Sequence, residues 1–242
     1  MTRHHHYAQH FLRSPRLVAE LVGHSNIRKN DVVYDLGAGS GVISSVLARR
    51  CKQVVAVEIE SDALAKLQRN VAGIENITIV KQDILALEEP DGPYKIFANI
   101  PFDISAAVVR KFTESMRPPR SMYLIVQRQF ARKLVPGSDH FTSQLAAELG
   151  PWFSVRIRKP LRKTDFTPPP AVDTVLLEVK LREESLLRKE LAKDYRAFIR
   201  RAFAEQKYFA TLPREKAGIS SELRPSQLAL EQWLRLYSVA NS

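Results

Sequence analysis

Residues 32–42, Val32-Val33-Tyr34-Asp35-Leu36-Gly37-Ala38-Gly39-Ser40-Gly41-Val42, decide the fold. Val32 to Leu36 is an apolar run of strand length, and a helical pattern extends from Val42 to Arg50. Between them, glycines at alternate positions let the backbone turn sharply and admit a ligand close to the main chain. The N-terminus of the following helix points N–H groups at a negative group. Strand, glycine turn and helix open a nucleotide-binding βαβ unit. The spacing is Gly-x-Gly-x-Gly, which misses the dinucleotide fingerprint Gly-x-Gly-x-x-Gly by one residue, so no pyrophosphate cradle is implied. A ligand with a carboxylate and an adenosine tail fits the same turn.

Working outward, a second strand, Val54 to Val57, ends on Glu58, where the two hydroxyls of a ribose would be accepted; alone, the same acid reads equally as a helix cap or a surface charge. A helix from Asp62 to about Val71 leads to a third strand, Ile77 to Val80, and then to Gln82-Asp83-Ile84. Asp83 can accept from an adenine amino group while Ile84 packs on the ring. Asp35, Glu58 and Asp83 thus fall at the ends of three successive strands. A fourth strand, Tyr94 to Ala98, delivers Asn99-Ile100-Pro101-Phe102. Pro101 has no N–H and a fixed φ, and it biases Ile100 towards extended geometry, so the turn is stiff. An amide, backbone carbonyls and a flat aromatic face then form a socket for a planar base bearing an amine. By themselves the four residues also describe a strand-ending turn; the upstream glycine loop favours the socket. In an open parallel sheet, ligands collect beyond the carboxyl ends of the strands where strand order reverses, so both features are expected to face one crevice.

A helix follows from Ser105 to about Ser115, then a fifth strand, Met122 to Val126, and a helical segment from Gln129 beside the basic Arg128, Arg132 and Lys133. Two more strands, Trp152 to Val155 and Thr174 to Val179, flank a basic loop holding Arg156, Arg158, Lys159, Arg162 and Lys163. The prolines of Phe166-Thr167-Pro168-Pro169-Pro170 stiffen this loop; a Phe there is more often packed than functional, but beside five basic residues Phe166 is expected to stack on an extruded base. From Glu183 the chain turns helical and charged. Leu187, Leu191, Tyr195, Phe198 and Ala202 form one stripe, with Lys189, Lys193, Arg196 and Arg200 opposite. The expected organisation is α/β: a Rossmann-like sheet with helices on both faces over residues 1–182, including an arm over 1–13, and a small all-helical accessory domain over 183–242.

The chain has 242 residues and a net charge of +11, with a sequence pI near 9.9. Such an excess points to a polyanionic partner, nucleic acid before membrane. Cys51, the single cysteine, excludes an internal disulfide and reads as a structural thiol in a reducing compartment. There is no membrane-span-length apolar stretch, and Met1 to Leu12 is too polar for a signal peptide, so a cytoplasmic, monomeric protein is expected. His4-His5-His6 without other ligand spacing makes no dedicated metal site, and no metal is expected.

Together these features leave room for S-adenosylmethionine beside an amine-bearing base. The lone pair of an exocyclic amine is delocalised into its ring. If the Asn99 oxygen and the Ile100 or Pro101 carbonyl accept the two amine hydrogens, the nitrogen can become tetrahedral and its lone pair can face a methyl carbon. The target is unreachable in a stacked helix, so the base must be extruded, with Phe102 stacked on it.

The sequence resembles the ribosomal RNA adenine N6-methyltransferases, most closely the Erm type. The resemblance rests on Gln9-His10-Phe11-Leu12, Asp35 to Gly41, Val57-Glu58-Ile59-Glu60, Gln82-Asp83-Ile84-Leu85, Tyr94 to Phe102, Tyr123 to Val126, Phe166 to Pro170 and Gln232-Trp233, and spans nearly the whole chain. It implies methylation of an adenine in 23S rRNA, conferring resistance to macrolides, lincosamides and streptogramin B. It further implies that Gln9, His10, Leu12, Gly37, Gly39, Glu58, Ile59, Asp83, Ile84 and Asn99 hold S-adenosylmethionine, and that Asn99, Ile100, Pro101 and Phe102 hold the adenine. Phe166, Arg128, Arg132, Lys133, Arg162 and Lys163 are the expected RNA contacts. His10 stands where that pattern usually has Asn, and Phe102 replaces Tyr, which keeps the stacking surface and loses a hydroxyl. The alternatives are a small-subunit rRNA adenine dimethyltransferase acting in ribosome assembly and, from another class, a non-catalytic RNA-binding protein with a vestigial cofactor site. A nicotinamide dehydrogenase is disfavoured by the glycine spacing.

Overall fold

A computed structural model of the chain describes residues 10–12, 14–136 and 141–241. The chain divides into two compact units, Met1–Arg128 with Arg156–Lys180, and Gln129–Val155 with Leu181–Ser242. The boundary expected between residues 182 and 183 therefore does not follow the chain simply, because 129–155 belongs with the C-terminal helices rather than with the sheet it follows.

The first unit begins with β1 (Phe11–Leu12) and α1 (Pro15–Gly23). It continues through β2 (Val32–Leu36), α2 (Val42–Ala48), β3 (Gln53–Glu58), α3 (Ser61–Asn70), β4 (Ile77–Lys81), β5 (Lys95–Asn99), α4 (Ser105–Glu114) and β6 (Ser121–Gln127). After α5 (Arg128–Leu134) and α6 (Gln144–Leu149) come β7 (Phe153–Leu161), β8 (Phe166–Thr167) and β9 (Thr174–Leu181). The main sheet has seven strands in the order β4-β3-β2-β5-β6-β9-β7, and β1 pairs separately with β8. β2 pairs in parallel with both β3 and β5, β3 with β4 and β5 with β6, whereas β9 runs antiparallel to β6.

From β2 the chain steps outward through β3 to β4, then returns to the other side of β2 as β5. Right-handed crossovers place α2 and α3 on one face during the outward steps and α4 on the other after the reversal. The switch between β2 and β5 lies where sequence pattern predicts the crevice. The strands' alternate residues feed the layer under α1 and α2: Val33, Val54 and Phe97 join Val18, Leu21, Ile43 and Leu47 in one cluster.

The expected basic loop at 156–163 is instead mostly strand. β7 runs on through Arg156, Arg158 and Lys159, and its Pro160 is tolerated because β7 is an edge strand with one side of its ladder unpaired. Its bases are also spoken for: Arg156 pairs with the buried Glu178, Arg158 donates to the His24 carbonyl at 3.0 Å, and Lys159 pairs with Glu20.

In the second unit α5 and α6 are joined by α7 (Ala192–Ala204), α8 (Gln206–Thr211) and α9 (Leu230–Ala240). The expected stripe is real from Tyr195 onward, with Tyr195, Phe198, Ile199 and Ala202 buried, but Leu187 and Leu191 precede the α-helix. Two members of the basic row turn inward. Arg200 bonds the buried Glu148 at 3.1 Å, and the Arg196 guanidinium lies 5.1 Å from the centre of the Trp152 ring.

Candidate active site

The loop after β2 is built by its glycines. Gly37, Gly39 and Gly41 all have positive φ, at 69°, 56° and 87°. The loop is pinned to the end of β3, where the N–H groups of Gly37 and Ala38 donate to the Val57 carbonyl at 2.8 and 3.0 Å. A Cβ on Gly39 would stand 3.2 Å from the Phe11 ring, so that glycine also provides the space that lets the arm lie against the loop.

Glu58, the last residue of β3, is buried, and its carboxylate is wrapped in backbone donors. One oxygen accepts from Gly39 N–H at 2.8 Å, the other from Ile59 and Glu60 N–H at 2.9 Å each. The acid therefore ties the glycine loop to the turn after β3. Asp83 accepts from Leu85 N–H at 2.8 Å and begins a short turn that carries the buried Ile84. Asp35 behaves differently from the other two strand-end acids. It shares the parity of Val33 and so faces α2, where Ser44 Oγ donates to it at 2.6 Å. Its second oxygen has no partner, and burial pushes its carboxyl up to about 7, with Glu58 adding in the same direction and the Ser44 bond opposing.

Beyond β5, Asn99 donates from its amide nitrogen to the His10 carbonyl at 2.6 Å. Because only the nitrogen end can donate, this bond fixes the amide orientation and turns Oδ1 away from the arm. Pro101 opens a short turn over Phe102–Ile104, and its carbonyl accepts from Ile104 N–H at 3.3 Å. His10 completes the arrangement: its ring stacks on Phe102 with centroids 5.6 Å apart and planes at 27°, and its Nδ1–H donates to the Pro168 carbonyl at 2.8 Å. Pairing of β1 with β8 holds Phe11 and Leu12 where, with His10, they line the crevice at the switch point.

One cavity gathers these elements. Its walls include His10, Leu12, Gly37, Gly39, Glu58, Ile59, Asp83, Ile84, Asn99, Ile100, Pro101 and Phe102. The expected cofactor residues and the expected base-holding residues thus share a single space, apart from Gln9, which lies outside the described residues. Phe11 and Ile104 line it too, although the sequence reading assigns neither a site role. The donor and acceptor set suits S-adenosylmethionine: carboxylates at two strand ends, isoleucine faces for a purine, and a glycine loop that a Cβ would crowd.

Phe166 requires correction. It is fully buried in the cluster under α1 and α2, opposite Leu12 in the β1–β8 pair, so its ring is core and not a platform for a base. An aromatic in a proline-rich stretch is held by the ribbon that stretch forms with the arm, a contact between residues far apart in sequence. Arg128, Arg132 and Lys133 are exposed, on the first and last turns of α5. Arg162 reaches Asp165 at 3.4 Å, and Lys163 donates to the Ala171 carbonyl at 2.6 Å, so both brace their own turn. The Cys51 thiol is buried and pushed up to about 11 by that burial, in keeping with a structural role. Among the described residues no helix is long and apolar enough to cross a membrane, and no cluster of potential metal ligands occurs.

Comparison with known proteins then bears on the activity. The family model described as "Ribosomal RNA adenine dimethylase" matches residues 1–212. The chain is 26% identical to the "Ribosomal RNA small subunit methyltransferase A" of Dehalococcoides mccartyi strain BAV1, covering 94% of this chain and 85% of that protein. It is 30% identical to the "rRNA adenine N-6-methyltransferase" of Lysinibacillus sphaericus, covering 79% of this chain and 77% of the relative. Among solved structures, that of the 23S rRNA methyltransferase ErmE superposes with a TM-score of 0.82 at 26% identity, covering 96% of this chain and all of that one.

Proposed function

Because the chain belongs to the ribosomal RNA adenine dimethylase family, whose members are S-adenosylmethionine-dependent rRNA adenine methyltransferases, we propose that it modifies the N6 amine of an adenine in 23S rRNA. Macrolide, lincosamide and streptogramin B resistance would follow. The observation that carries the catalytic reading is the Asn99 amide, oriented by the His10 carbonyl in the same cavity as the glycine loop and Glu58.

The cofactor supplies an electrophilic methyl group on a sulfonium. Glu58 and Asp83 would hold its adenosine part, with Ile59 and Ile84 against the purine and Gly37 and Gly39 giving close main-chain approach. The arm residues His10 and Leu12 line the site, and by the family resemblance Gln9 would contribute a further cofactor contact. On the substrate side, Asn99 Oδ1 accepts one amine hydrogen. The Pro101 carbonyl already takes the Ile104 N–H, so we assign the second acceptor to the Ile100 carbonyl. These fixed acceptors favour a tetrahedral nitrogen and stabilise the positive charge that develops on it. The lone pair forms the new C–N bond as the C–S bond breaks, and the resulting ammonium passes its proton to water. Phe102 supplies the stacking face for the extruded base, worth about 1–3 kcal/mol. Arg128, Arg132, Lys133, Arg162 and Lys163 would contact phosphates from the surface.

The 23S assignment is supported by the ErmE superposition, with its full coverage of that chain. A small-subunit target is favoured by the longer alignment to the small-subunit methyltransferase, 94% of this chain against 79% for the Lysinibacillus sphaericus enzyme. Mapping reverse-transcription stops on both rRNAs, from cells with and without the protein, decides between them. A new stop on 23S rRNA, with a raised inhibitory concentration of erythromycin, is the expected result; a stop confined to small-subunit rRNA overturns the assignment.

A further inference from the structure

A second concavity, of about 480 Å³, runs between α1 and α2 and is lined by Arg16, Ser40, Val42, Arg49, Arg50 and Asn70, among others. Ser40 and Val42 also line the active-site cavity, so the groove begins at that cavity's rim. From there it follows α2 to Arg49 and Arg50 just past the helix end, a path of about 12 Å.

Three guanidinium groups facing one groove repel one another unless an anion lies between them. Among the described residues no carboxylate lines the groove. The acid on α1 one turn beyond Arg16 is Glu20, which is engaged by Lys159. Several other bases of this unit are paired with carboxylates, as with Arg156 and Glu178 or Lys95 and Asp31. Arg16, Arg49 and Arg50 by contrast are exposed together along one concave strip.

We propose that this groove is a docking track for the RNA backbone, taking two or three successive phosphates of the strand that carries the target adenine. The proposal rests on the rRNA methyltransferase reading above. A phosphodiester strand suits the groove for three reasons. Guanidinium forks match phosphate oxygens in pairs. The groove adjoins the cavity that the base must enter, sharing Ser40 and Val42 with it. None of the large exposed apolar side chains lines it, so it lacks what insertion into a lipid surface requires. The track would grip the strand beside the extruded nucleotide and so offset part of the unstacking cost. No base-specific contact is implied, so affinity should fall uniformly across sequences when the track is removed.

The test compares the wild-type chain with Arg16→Gln/Arg49→Gln/Arg50→Gln and with the matching triple Lys variant, on full-length large- and small-subunit rRNA transcripts. Methyl-transfer kinetics and the salt dependence of RNA binding are both measured. The expected result is a KM for rRNA raised tenfold or more in the Gln variant, with kcat and the Kd for S-adenosylmethionine unchanged. The slope of log K against log salt should fall by about 2, at roughly 0.7–0.9 for each phosphate no longer neutralised. The Lys variant should recover most of the slope. An unchanged slope and KM overturn the track, as does a change confined to cofactor affinity. Should the wild type methylate neither rRNA, the activity reading fails, while the slope comparison still decides the groove.

Discussion

Replacing Asn99 with Asp separates two jobs that the amide performs at once. Its nitrogen donates to the His10 carbonyl at 2.6 Å, which holds that residue in place; its oxygen, on the proposed mechanism, accepts from the substrate amine in the cavity that Asn99 lines. Aspartate keeps an acceptor for the amine but places an anionic oxygen against a carbonyl oxygen at that same position. Leaving the His10 carbonyl without its donor costs about 1–3 kcal/mol. If that energy is drawn from arm closure over the cofactor, affinity for S-adenosylmethionine falls roughly fivefold to 150-fold, at 1.4 kcal/mol per decade. The chemical step should suffer less, since a carboxylate also stabilises positive charge on nitrogen. Asn99→Ala removes both functions and should lower kcat by about a further hundredfold to a thousandfold. Calorimetric titration gives the affinities, and radiolabelled methyl transfer at saturating cofactor gives kcat. Thermal melts of both variants establish that the fold is retained. Wild-type cofactor affinity in Asn99→Asp, or a kcat within tenfold of wild type in Asn99→Ala, would refute the assignment.

Further expectations concern the arm, the glycine loop and the buried acid. His10→Ala loses its stack on Phe102 and its bond to Pro168, worth about 0.5–1.5 kcal/mol each, so calorimetry should show weaker S-adenosylmethionine binding by about tenfold; unchanged binding would mean these contacts contribute nothing to cofactor retention. Gly41→Ala forces an L side chain to φ of +87° and sets its Cβ 2.6 Å from Leu67 Cδ1, so the buried Leu67 side chain must give way. The cost should be about 2 kcal/mol, or a Tm lower by roughly 4–8 °C. Asp35 binds its proton more tightly in the folded chain, with a pKa of about 7 against 3.8. The folded state therefore holds the extra proton between those values, and this group's contribution to stability is full below about pH 4 and declines as pH rises through 7. Asp35→Asn keeps an acceptor for Ser44 and removes the titration, so Tm of the variant relative to wild type should rise between pH 5 and 8. A difference constant with pH would refute the buried-acid account.

Local chemistry alone settled the strand, glycine turn and helix at 32–48 and the Asn-Pro-Phe turn. Positive φ demands glycine, and proline fixes its own turn, so such features are written into a few adjacent residues. Apolar periodicity likewise placed the first five core strands to within a residue or two, because each buries a contiguous run.

What the sequence could not determine depends on partners distant along the chain. Phe166 reads as a platform until pairing of β8 with β1 carries it into the core. Arg156 and Lys159 read as members of a basic loop until β7 runs through them and Glu178 and Glu20 pair with them across the fold. Asp35 and Glu58 look equivalent, yet strand parity sends one under α2 and leaves the other at the cavity. The amide of Asn99 is oriented by His10, 89 positions away. The kind of residue is local information, whereas its free capacity for hydrogen bonding and charge is what remains after tertiary contacts have taken their share, and only the folded chain sets that remainder.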